Sequence, residues 1–239
     1  MFIGHYGVAL ALKRAEPRLS LGTLFVAVQL VDLLWGFTIL LEWERARIAP
    51  GWTAATPLQF LYYPLTHSLL AGVLWGLAAA AVYYSWPTRN THHHARAAAI
   101  VGAAVVSHWV LDLIVHVPDL PLASDAGPKL GLGIWQSVPG TLLVELLVFG
   151  AGLAVYAKYM QGRGRLRTTR LAVLAAVLVV IQFAAILGPP PPNMDAVGVA
   201  AIAMSIVFPL AAVWVDRAPT DPAAPRASKR RGRRKHAGA

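Results

Sequence analysis

The run from Arg96 to Val117 constrains this chain more than any other stretch. It is long and apolar enough to cross a bilayer, yet it carries Ser107, His108, Asp112 and His116. A spanning helix needs about 20 mostly apolar residues. An ionisable group within it costs roughly 2.5–3.5 kcal/mol on insertion scales and so demands a purpose. In a helix, side chains four apart stack on one face with about 6 Å of axial rise between them. His108, Asp112 and His116 therefore form one stripe, which can grip a metal ion. The alternative reading of the triplet is a buried polar network that knits helices together.

Composition agrees with a membrane setting. Of the 239 residues, 57% are hydrophobic and only 13% charged, and the mean hydropathy of +0.56 is too high for an ordinary soluble domain. There is no cysteine, which removes disulfides and thiolate metal sites and leaves any metal to His, Asp and Glu. The formal net charge is +10, but the positive residues gather in short connections and in the tail Lys229–Lys235. That distribution fits membrane orientation and not nucleic-acid binding.

In chain order, Met1 to Leu12 is apolar apart from His5 and Tyr6 and stops at Lys13-Arg14. With no basic stretch ahead of it and a reach of about 18 Å, it reads as a half-inserted helix and not as a signal peptide. Leu19 to Leu41 is the first credible span and holds Gln29 and Asp32. Ala49 to Pro64, rich in Pro, Gly and aromatics, reads as an interfacial loop. A second span opens with Thr66-His67-Ser68 and ends at Trp86-Pro87, and the third is Arg96 to Val117. Three consecutive histidines, His92 to His94, cannot share a helical face and read as a solvated loop. The Pro- and Gly-rich stretch after His116, up to Trp135, reads as a structured lid. A fourth span, Thr141 to Tyr159, carries Glu145, and two nearly pure apolar spans follow at Leu171–Leu187 and Ala196–Val215, separated by Pro189–Pro192.

Lys and Arg are concentrated in alternate connections, which by the positive-inside rule puts both termini in the cytoplasm. The expected architecture is an all-α integral membrane protein with about six transmembrane helices plus a short half-inserted N-terminal helix. Residues 1–216 form the membrane domain and 217–239 a basic, disordered cytoplasmic tail. In this topology Asp32, His67, His108, Asp112, His116 and Glu145 converge on the outer half of the bilayer. His5 joins them only if the first helix points inward from the cytoplasmic face.

Gly4-His5, the acidic Asp32, Thr66-His67-Ser68-Leu69-Leu70, and Ser107-His108 followed by Asp112 resemble the bacterial inner-membrane metal-dependent hydrolase family, a domain of unknown function. Its His/Asp pattern is in turn similar to that of zinc-dependent phospholipase C. The resemblance covers about Met1 to Glu145 and implies a metal site formed by His5, Asp32, His67, His108 and Asp112. Where many relatives carry an Asp-x-Asp-His cluster, this sequence has Val31-Asp32-Leu33-Leu34-Trp35, one metal position fewer.

The leading functional expectation is a membrane-embedded hydrolase using a divalent, zinc-type ion on an ester or phosphoester of a lipid-like substrate. Its ligands would be neutral His and ionised Asp. Glu145 and His116, with Asp119 behind them, are the candidate proton movers. Two other classes compete. An ion- or proton-coupled transporter or channel would spread acidic groups through both halves of the membrane. A non-catalytic membrane protein would use the same residues as a structural network.

Overall fold

A computed structural model describes residues 1–86 and 94–217. The connection holding Arg89, His92 and His93, and the basic tail beyond Arg217, lie outside these residues. His94 is described. It opens a helix, and its ring stacks on Tyr83 and Tyr84 at centroid distances of 5.0 and 5.6 Å.

The apolar runs become helices. Helix α1 spans Ile3–Ala15, α2 Leu21–Leu40, α3 Pro64–His67, α4 Leu69–Ser85, α5 His94–Val115, α6 Val138–Gln161, α7 Thr168–Leu187 and α8 Met194–Asp216. Among the described residues five of these, α2, α5, α6, α7 and α8, are long and apolar enough to cross a membrane. Helix α4 is 17 residues long. The stretch expected to be one helix from Thr66 to Trp86 is broken at Ser68, whose backbone is extended (φ −76°, ψ 152°). The Ser68 hydroxyl donates to the Pro64 carbonyl at 2.7 Å and accepts from the Ala71 N–H at 3.0 Å, closing one helix and opening the next.

The loop expected over Ala49–Pro64 is in part regular structure: its second half supplies one strand of an antiparallel hairpin, and Pro64 opens α3. The hairpin strands are β1 (Arg45–Ile48) and β2 (Leu58–Tyr62). A second small ladder, β3 (Leu120–Pro121) with β4 (Lys129–Leu130), lies within the stretch after His116. That stretch folds back over the end of α5. Leu132 N–H reaches the Leu113 carbonyl at 2.8 Å and Gly133 N–H the His116 carbonyl at 2.7 Å, so carbonyls left over at the helix terminus are paired. Gly133 takes a left-handed conformation (φ 75°) to make this return.

The most extensive helix contacts are α2 with α8, α1 with α6, and α4 with α5. Small residues let such helices approach closely in van der Waals contact. Helices α1 and α6 meet through Gly7 and Gly152, where a methyl group on Gly152 would collide with the Gly7 carbonyl. The main core lies among Tyr6, Leu10, Phe25, Val105, Phe149 and Phe208. A second cluster of Trp35, Ile39, Tyr63, Trp109 and Leu120 closes the opposite end.

Polar contacts order the ends. Lys13 Nζ donates to Asp216 at 2.6 Å and to the Leu19 carbonyl at 2.7 Å, and Arg96 donates to the Ala15 carbonyl at 2.9 Å. The close of α1, the start of α2, the start of α5 and the close of α8 therefore share one end, here termed the basic end. From this end α1 reaches into the bundle, where its first residues, Ile3 to His5, are buried.

Candidate metal centre

Asp112 is the hub of the site. It lies one turn before the end of α5 and is buried at 2% exposure. Its Oδ2 lies 3.2 Å from His108 Nε2, 3.8 Å from His116 Nε2 and 3.9 Å from His67 Nε2. Its Oδ1 lies 3.2 Å from His5 Nε2 and accepts from the Met1 amino group at 2.5 Å. Asp32, from α2, faces the same imidazoles across the cluster, at 3.4 Å from His67 Nε2 and 3.5 Å from His108 Nε2. All five residues expected to bind metal are therefore in one cluster, and His116 joins them.

The other ring nitrogens decide the tautomers. His108 Nδ1 is 2.8 Å from the Val28 carbonyl, which can only accept, so Nδ1 carries the proton. His116 Nδ1 is 2.9 Å from Asp119 Oδ1 and donates to it by the same argument. His67 Nδ1 meets the Thr66 hydroxyl at 2.8 Å, and that hydroxyl donates to Glu44 at 2.7 Å, so the imidazole N–H is again on Nδ1. With neutral imidazoles, three Nε2 lone pairs then point at two carboxylates. The buried His108 Nε2 has no hydrogen-bond partner among the described residues. Acceptors facing acceptors in a buried site repel one another unless a cation lies between them.

The spacing suits such a cation. The Nε2-to-carboxylate separations run from 3.2 to 3.9 Å, a range that one bound ion can bridge. His5, His108 and Asp112, and likewise Asp32, His67 and His108, each present ligand atoms within 4.8 Å of one another. The cluster can hold a metal ion.

His5 reaches the site because α1 starts inside the bundle. Its ring stacks flat on that of His108, with centroids 3.9 Å apart and planes within 3°. A helix start buried in apolar surroundings would strand its first N–H groups, and Phe2 offers no side-chain cap. Glu145 on α6 supplies the cap: its oxygens accept from Phe2 N–H at 2.7 Å and Gly4 N–H at 2.8 Å. Gln182 on α7 accepts from Ile3 N–H at 3.4 Å. A carboxylate here also complements the positive end of the helix dipole. Glu145 thus sits beside the site with both oxygens engaged by backbone amides. Gln182 interrupts a span that reads as purely apolar, and its placement was not foreseen.

Glu44 is the second residue that sequence reasoning missed. It ends the first span in the sequence, but its side chain is buried at 1% exposure. Its Oε1 accepts from Leu65 N–H at 2.8 Å and Thr66 N–H at 3.0 Å, capping the short helix α3. The only available signal was the acidic residue at a span boundary, which ordinarily marks solvent.

Aromatic side chains close the site from above. Phe60 of β2 lies 5.1 Å from His116 and Trp135 lies 4.1 Å from it, centroid to centroid. The Ala55 N–H to Trp135 carbonyl bond of 2.9 Å ties the hairpin loop to the stretch after α5. Tyr63 donates to Asp119 at 3.0 Å. Burial, with Asp119 alongside, pushes its phenol well up, which keeps it a neutral donor. A small cavity of about 140 Å³ touches Asp32, His67, Asp112, His116 and Trp135. Comparison of the chain with protein-family models, with curated proteins and with solved structures gives no match.

Proposed function

We propose that this protein is a membrane-embedded hydrolase that uses a zinc-type ion to cleave an ester or phosphoester in a lipid-like substrate. The supporting observation is the convergence of the His67 and His108 Nε2 atoms on the carboxylates of Asp32 and Asp112 at 3.2–3.9 Å, with the His108 Nε2 left without a hydrogen-bond partner among the described residues. A zinc-type ion at such a set brings the pKa of a bound water down to about 7 and so supplies hydroxide at neutral pH. In this reading the resemblance to the inner-membrane metal-dependent hydrolases reflects shared chemistry, with Asp32, His67, His108 and Asp112 as ligands and His5 alongside.

The protein's own groups handle orientation and protons. His116 keeps its Nδ1 proton on Asp119, so its Nε2 is free to take a proton from water and return it to a leaving oxygen. Tyr63 steadies Asp119 from the other side. Glu145 holds α1 in place and keeps His5 against Asp112. The aromatic cover of Phe60 and Trp135 excludes bulk water, which strengthens every charge interaction beneath it.

The same reading places six spans in the bacterial inner membrane, α4 with α3 making the sixth, with both termini cytoplasmic and the site in the outer half. Reporter fusions at Pro189–Pro192 test the topology, and a cytoplasmic signal there would refute it. The chemistry is tested by metal analysis of purified protein and of His108→Ala, followed by hydrolysis assays with no ion gradient. Stoichiometric zinc, lost in the variant together with turnover, is the expected result. Protein that takes up no divalent ion would overturn the reading.

A further inference from the structure

A second cavity of about 410 Å³ lies beside the metal cluster, between α2, α7 and α8. That volume falls in the range of small-molecule sites. Its lining is apolar along Ile181, Val197, Ala201 and Met204, and it meets the small cavity over the metal cluster at Met1, Asp32 and Trp35. Asp32 is the cluster's accessible carboxylate: its side chain is 26% exposed against 3% for Asp112.

Asp32 and Trp35 line both cavities, and with Gln29 of the larger one they form a polar strip along α2 at three-residue spacing. Gln29 and Trp35 are buried, at 3% and 5% exposure. The amide of Gln29 uses its nitrogen on Asp32 at 3.3 Å. Its Oε1 faces the buried Tyr6 hydroxyl, from which it can accept. The Trp35 indole Nε1 has no hydrogen-bond partner among the described residues, which leaves one buried donor at the border of an apolar channel, and such groups are rarely left unmade. Helices α7 and α8 pack far less extensively on each other than α2 does on α8. The faces they turn outward are apolar, with Val180, Leu187, Val199 and Leu210 exposed.

We propose that this channel binds the aliphatic chain of a single-chain, hydroxyl-bearing lipid, which enters sideways between α7 and α8. The hydroxyl accepts from Trp35 Nε1–H, which places the adjoining ester or phosphoester against Asp32. That the occupant is the substrate rests on the hydrolase reading; that the channel holds one chain does not.

The test uses a monoacyl phosphatidylglycerol with a diazirine at mid-chain, photolysed with the full-length protein in nanodiscs, and adducts mapped by mass spectrometry. Adducts on Trp35, Ile181 and Met204 are expected, displaced by excess monoacyl lipid and not by its diacyl counterpart. Ala201→Trp should abolish them while leaving adducts on lipid-facing Val180 and Leu210, and the metal content, unchanged. Should Ala201→Trp fail to accumulate, Ala185→Trp at the rim on α7 gives the same readout. Interior adducts that persist in these variants, or equal displacement by diacyl lipid, would overturn the proposal. Adducts as expected with no turnover of any ester would sink the hydrolase reading alone. Turnover of a soluble ester with no interior adducts would sink the channel alone.

Discussion

Glu44 sets the protonation of His67 through one intervening hydroxyl. Thr66 Oγ1 donates to Glu44 Oε2 at 2.7 Å and so must accept from His67 Nδ1–H at 2.8 Å. The Nε2 lone pair is thereby fixed toward Asp32 and Asp112. Partners of this kind raise ligand basicity, and losing one costs roughly 10–100-fold in metal affinity. Thr66→Val should therefore weaken zinc binding by about that factor, measured by competition with a chromophoric chelator, and Thr66→Ser should restore it. Equal affinity in Thr66→Val and wild type would mean that the relay does no orienting.

Asp112 and Asp32 differ in what they touch. Asp112 faces four imidazoles, from α1, α3, α5 and the residue just after α5, whereas Asp32 faces two. Asp112→Asn should abolish stoichiometric metal, while Asp32→Asn should retain a weaker site. Elemental analysis after gel filtration checks this. The reverse order of loss would move the hub to Asp32.

Much of this arrangement is legible in the sequence because a bilayer makes polar residues conspicuous. Asp32, His108, Asp112 and Glu145 stand out in apolar runs, and their depth along each helix follows from a fixed rise per residue. Residues at span boundaries are not legible in this way. Glu44 looks like a solvated terminus, because its partners Leu65 and Thr66 lie some 20 positions on and meet it only through the β1–β2 hairpin. The break at Ser68 was hidden for a related reason: a serine before an apolar run marks a helix start equally well one turn earlier. Glu145 is visible as a buried acid, but that it caps α1 is a fact about backbone amides that no side-chain pattern records.

The α1–α6 contact offers a test with an internal control. A side chain on Gly152 would meet the Gly7 carbonyl, whereas one on Gly150 would meet nothing within 4 Å. Forcing a methyl into a filled contact costs about 1–3 kcal/mol, and an open surface site tolerates the same change within about 0.5 kcal/mol. Gly152→Ala should lower the thermal midpoint in detergent and loosen metal binding, since α1 carries His5 into the site. Gly150→Ala should match wild type. If both variants behaved alike, the close approach would not be what seats α1.

His116 separates binding from chemistry. It lies 3.8 Å from Asp112 Oδ2, farther than His108 at 3.2 Å, and its other nitrogen is committed to Asp119, which leads through Tyr63 toward the covering hairpin. A nitrogen at the margin of the cluster with a carboxylate behind it is placed to move protons, and losing such a group typically costs 10²–10⁴-fold in rate. His116→Gln should depress turnover on that scale while most of the metal stays bound. Asp119→Asn should follow it more mildly, because Nδ1 keeps a polar partner but loses the charge that stabilises a protonated ring. Pre-steady-state rates with metal content measured on the same samples decide the matter. Stoichiometric metal loss from His116→Gln would make His116 a ligand and leave the proton step to another group.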